Sequence, residues 1–118
     1  MRFILIFMFT SLLVNAQNTQ LTPFEKGNKN QSTTYEECIS FYQVLDSNSD
    51  KIEMRTMGLT DSGKPLHIIV FSESKNFTFN QNKAVLLVNN GIHPGEPDGI
   101  DATMMLMRDL ANSKIKVP

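Results

Sequence analysis

Two side chains in this sequence have the types and the spacing to hold one metal ion. His93 and Glu96 stand three apart in the run Asn89-Asn90-Gly91-Ile92-His93-Pro94-Gly95-Glu96-Pro97. An imidazole offers a neutral nitrogen and a carboxylate offers a charged oxygen, and both suit zinc. Gly91 and Gly95 free the backbone for a sharp turn. Pro94 and Pro97 stiffen it, which lowers the entropy lost when a metal is gripped. A bare His-x-x-Glu is most often a surface His beside a helix-start Glu. The glycines, the prolines and the elements on either side turn the reading toward a metal. A catalytic zinc takes three protein ligands and keeps one position open for water. No third ligand is evident up to Pro118, and no catalytic residue is assigned.

The elements around the pair follow from periodicity. Ahead of it, Lys83 to Asn89 carries the apolar run Ala84-Val85-Leu86-Leu87-Val88, which predicts a strand buried on both faces of an α/β sheet. Ligand sites in such sheets lie just past the carboxyl ends of the strands. Behind it, Asp98 to Ala111 predicts an amphipathic helix with Ile100, Thr103, Met104, Met107, Leu110 and Ala111 on one face. Pro97 can start that helix, and Asp98 and Asp101 favour its positive end.

Earlier in the chain, Thr34 and Glu37 form a capping-box pair for a helix from Tyr35 to Leu45. That helix places Cys38, Phe41, Tyr42 and Leu45 on one face and ends in the turn-rich cluster Asp46 to Asp50. Ile52 to Met57 alternates apolar and polar residues. Asp61-Ser62-Gly63-Lys64 is a turn, and Pro65 to Phe71 predicts a second strand, so the two form an antiparallel hairpin. Pro65 to Phe71 is apolar enough to be covered on both faces, and Ser72 to Asn82 reads as a loop. The order helix, hairpin, strand, helix is the opening of an α/β sandwich that needs more chain to cover its sheet.

The start of the chain reads differently. Met1-Arg2 is a short positive start, Phe3 to Val14 is almost wholly apolar, and Val14-Asn15-Ala16 offers small residues where a signal peptidase cuts. The apolar run is shorter than the roughly twenty residues of a membrane span. Residues 1–16 are therefore expected to be a cleavable signal peptide cut after Ala16, with a secreted or periplasmic product and no stable membrane anchor. Residues 17–33 are polar and read as a flexible lead-in. The sequence holds 11 basic and 12 acidic residues for a net charge of -1, and loss of Arg2 takes it to -2. A balanced chain argues against nucleic acid as the partner, because phosphate binding draws on a basic surplus. Cys38 is the single cysteine. It reads as a small hydrophobe, since nothing beside it in sequence would activate a thiol.

Gly91-Ile92-His93-Pro94-Gly95-Glu96 resembles the first zinc-binding motif of the zinc metallocarboxypeptidases, the carboxypeptidase A-like peptidases. Gly58-Leu59-Thr60 and Gly63-Lys64-Pro65-Leu66 resemble that family's Gly-x-Ser/Thr and Gly-Arg/Lys-Pro-Leu/Ile hairpin, in the same order along the chain. The likeness covers about residues 34 to 112. It implies that residues 34–118 are the amino-terminal fragment of a mixed-sheet α/β/α sandwich. It also implies that His93 and Glu96 are the first two ligands of a Zn2+ ion and that the substrate is a peptide or protein. In that family a later His completes the zinc site and a still later Glu is the general base. Both would lie beyond Pro118, so this chain alone is expected to be inactive.

His67 reads as a structural histidine in the hairpin rather than a third ligand, and Asp98 and Asp101 as helix-start charges. Three alternatives accompany the peptidase reading. One is a zinc-dependent amide deacylase of the succinylglutamate desuccinylase or aspartoacylase type, which also uses Gly-x-His-x-x-Glu. The others are a non-catalytic secreted binding protein and an inactive truncated fragment. The hairpin and the signal peptide favour the peptidase.

Overall fold

A computed structural model of the chain describes residues 20–117. The expected signal peptide and the first part of the lead-in lie outside the described residues. The fold is mixed α/β. Its elements are α1 (Pro23–Lys26), α2 (Tyr35–Asn48), β1 (Ile52–Leu59), β2 (Pro65–Phe71) and α3 (Asp98–Ala111). None of the described helices is long and apolar enough to cross a membrane.

Local chemistry accounts for the helix ends. Thr34 caps α2 by accepting the Glu37 backbone N–H through its hydroxyl, while the Glu37 carboxylate accepts the Thr34 N–H. Two of the donors that every helix start leaves unpaired are thereby satisfied. α2 runs to Asn48, three residues past the expected Leu45, and ends at Ser49 in extended backbone. Thr22 and Glu25 repeat the same box at α1, a one-turn helix inside the polar segment where the sequence reading places no element.

β1 and β2 pair antiparallel, with Ile52 opposite Phe71, Met54 opposite Ile69 and Thr56 opposite His67. The register slips between Thr56 and Gly58, and Gly58 takes φ +135° there, a backbone state that favours glycine. Alternation along the pair sends Ile52, Met54, Ile69 and Phe71 toward the helices. Leu66 and Ile68 point away and are exposed, so β2 is covered on one face, not on both as its composition suggests.

The core is small. Phe41, Tyr42 and Leu45 from α2, Ile52 from β1 and Met104 from α3 are buried together, with Met104 wholly inaccessible. The Phe41 and Tyr42 rings meet edge-to-face at 5.6 Å between centroids, a favoured aromatic geometry. One turn along α3 from Met104, Arg108 is buried and donates from Nη1 to the Gln20 carbonyl at 3.1 Å and to the Glu25 carboxylate. Gln20 in turn donates from Nε2 to the Phe41 carbonyl. One guanidinium thus fastens α1 to α3.

The third expected strand is not formed. Residues 83–89 are irregular, and Val85, Leu86 and Leu87 are 74%, 86% and 85% exposed. A strand exists through ladder hydrogen bonds to a neighbour. Among the described residues the sheet contains β1 and β2 alone. The apolar run therefore has the composition of a buried strand and no ladder to join.

Two outcomes follow. Met104→Ala should lower unfolding stability by about 2–5 kcal/mol, the usual range for truncating a buried Met, read as a fall in the urea midpoint. Burial raises the Glu25 carboxyl, but the Arg108 hydrogen bond and charge and the Thr22 N–H more than offset it, leaving it below its ordinary value. A carboxylate depressed in the folded state contributes stability that is fully present above its unfolded pKa of about 4.5 and disappears as pH falls through the folded value. Acid unfolding of the wild type should therefore show a loss of stability beginning near that pH, and Arg108→Met should shrink it.

Candidate metal site

α3 is the platform on which the His93 and Glu96 turn is built. The turn ends at Pro97, whose carbonyl accepts the Ile100 and Asp101 backbone N–H groups at 3.0 and 3.1 Å and so opens the helix. It begins at Asn90, whose side-chain Nδ2 donates to the Thr103 hydroxyl at 2.6 Å. Gly91 follows with φ +67°. A side chain there would be strained by that backbone and would also stand 2.7 Å from Ile100 Cδ1. Gly95 turns the chain back at φ +86°.

Between these anchors the two donors meet. His93 Nδ1 and Glu96 Oε1 are 3.0 Å apart. Their side chains are 68% and 55% exposed, so both can be reached from solvent. Two donors about 2.0–2.2 Å from one tetrahedral zinc stand roughly 3.4 Å apart. The observed separation is a few tenths of an ångström shorter, a difference that small side-chain rotations close. Donor type, accessibility and spacing thus fit two of the three positions of a catalytic zinc. Among the described residues no third His, Cys, Asp or Glu joins them.

The other residues singled out in the sequence lie elsewhere. His67 is on β2, with Nδ1 3.1 Å from the Thr56 hydroxyl across the hairpin, a cross-strand contact of the structural kind. Asp98 is exposed in the first turn of α3. Asp101 is buried and accepts a hydrogen bond from the Thr33 hydroxyl, so beyond its place near the helix start it also ties the lead-in to α3. Cys38 packs against the core. Burial, with a smaller push from the Asp101 charge, raises its thiol above the ordinary value. A raised thiol is mostly protonated at neutral pH and is a poor nucleophile.

The contact between Asn90 and Thr103 escaped sequence reading. Its residues lie 13 apart, and periodicity assigns Thr103 only to an apolar helix face. One signal was available: Gly99 and Thr103 are one turn apart on the helix, and a glycine so early in a helix often marks a close approach.

Comparison of the chain with protein-family models, with curated proteins and with solved structures finds no match.

Cys38 should react with a bulky aromatic disulfide reagent at neutral pH at least tenfold more slowly in the folded protein than in urea. Equal rates would show an accessible, active thiol.

Proposed function

We propose that this chain is the amino-terminal part of a zinc-dependent hydrolase of the metallocarboxypeptidase type, acting on peptide bonds, with His93 and Glu96 as two of its zinc ligands. The observation that carries the reading is the 3.0 Å approach of His93 Nδ1 to Glu96 Oε1 on an exposed glycine turn at the start of α3. In this reading the remaining ligand and the general base come from polypeptide beyond Pro118.

When bound, zinc lowers the pKa of a water and polarises a carbonyl. The chain's own contribution is to present a nitrogen and an oxygen together without further ordering of the backbone. The hydrogen bond between the two needs a proton, and a metal takes that proton's place. The exposed donors leave room for substrate and for the missing ligand to approach from solvent.

The full-length gene product, dialysed against trace zinc and analysed for metal content, tests this directly. The wild type and His67→Ala should each hold one zinc per polypeptide. His93→Ala and Glu96→Gln should hold at least tenfold less at limiting zinc. Retention of zinc by His93→Ala at the wild-type level would reject the assignment, as would a wild type that binds none.

A further inference from the structure

The geometry points to Asn90 and Thr103 as positioning residues that hold the His93 and Glu96 turn in its ligating shape, with Gly99 kept small to make room for them. The metal half of this inference rests on the function proposed above; the positioning half does not.

Three observations converge on one face of α3. Asn90 Nδ2 donates to the Thr103 hydroxyl at 2.6 Å. A Cβ placed on Gly99 would stand 2.6 Å from Asn90 Oδ1, 2.9 Å from its Cγ and 3.2 Å from its Cβ. The Asn90 side chain therefore occupies the space that any other residue at position 99 would fill. The next residue of the turn, Gly91, lies over Ile100 so closely that a Cβ would meet its Cδ1 at 2.7 Å. Helical spacing puts residues 99 and 103 one turn apart on a common face, so the slot and the hydrogen-bond acceptor are in line.

The consequence for the site is a closed segment. Pro97 is fixed at the far end because its carbonyl opens α3. Asn90 is fixed at the near end by Thr103. Only residues 91–96 lie between, and they contain both donors. Without the Asn90 anchor the near end is attached to the irregular segment 83–89, which has no ladder to hold it. The helix, rather than the preceding strand of the sequence reading, is what orders the turn. Partners that orient metal ligands commonly change affinity by about 10–100-fold when removed.

The test uses Thr103→Val, which keeps the shape and removes the acceptor, Thr103→Ser, which keeps the hydroxyl, and Asn90→Ala. Two quantities are read on the full-length product: the backbone order of residues 91–96 by nitrogen-15 relaxation without metal, and zinc affinity by chelator competition. Thr103→Val and Asn90→Ala should loosen residues 91–96 and weaken zinc by 10–100-fold, with the thermal midpoint of Thr103→Val little changed. Thr103→Ser should restore both. If Asn90→Ala does not fold, the isosteric Thr103→Val carries the test. Wild-type order of residues 91–96 in Thr103→Val would overturn the proposal, as would failure of Thr103→Ser to restore it. So would unchanged zinc affinity in Thr103→Val when the wild type binds zinc through His93. A wild type that binds no zinc, with order lost in Thr103→Val and restored in Thr103→Ser, would reject the metal reading and uphold the positioning role.

Discussion

The placement of Met104 governs most of this structure. It is wholly inaccessible and packs against Phe41, Tyr42, Leu45 and Ile52. Burying that side chain turns one face of α3 toward the core, the face that also carries the buried Asp101 and Arg108. One turn further on, Arg108 is delivered to Glu25 and Gln20. Three residues back, Asp101 is delivered to Thr33. Positions 99, 100 and 103 are turned toward the incoming loop, where Gly99, Ile100 and Thr103 receive Asn90 and Gly91. A helix whose phase is set by its buried face thus distributes three different tasks around its circumference.

The local elements were legible in sequence because their causes are local. The capping box of Thr34 and Glu37, the turn at Asp61 to Lys64 and the span from Asp98 to Ala111 depend on residues within one turn or one hairpin of each other. All three stand where their residues indicate. The pair His93 and Glu96 was legible for the same reason, being three apart on a turn whose glycines announce it. Cys38 was legible as a core residue from helical spacing alone.

What escaped was non-local. Residues 83–89 have the composition of a buried strand, but composition states a need for burial and does not supply a partner. The ladder is a property of two segments, and here the second is not among the described residues. The polar segment 20–33 misled in the opposite direction. Its apolar content is too low to suggest order, yet α1 is held by a capping box and by Arg108, a residue 83 positions away from Glu25. A buried guanidinium at the centre of carbonyl and carboxylate acceptors orders polar chain as effectively as apolar packing does, because leaving it unpaired would be costly.

These two departures bear on the same question, which is what holds the donor turn still. A buried strand ending at Asn89 would have delivered the turn from a rigid base. With residues 84–88 exposed, that support is absent, yet His93 and Glu96 remain 3.0 Å apart. The remaining supports are all on α3: the Pro97 carbonyl at its first turn, the Ile100 side chain beneath Gly91, and the Thr103 hydroxyl that holds Asn90. The geometry of the donor pair is therefore inherited from the phase of α3, and through it from Met104 and the small core. A substitution in that core has two distinct routes to the site: it can unfold the protein, or it can rotate the helix and move Thr103 away from Asn90 while the fold survives. The second route makes the geometry of the His93 and Glu96 pair sensitive to core changes that cost little stability, since a one-ångström displacement at position 103 is enough to break a 2.6 Å hydrogen bond.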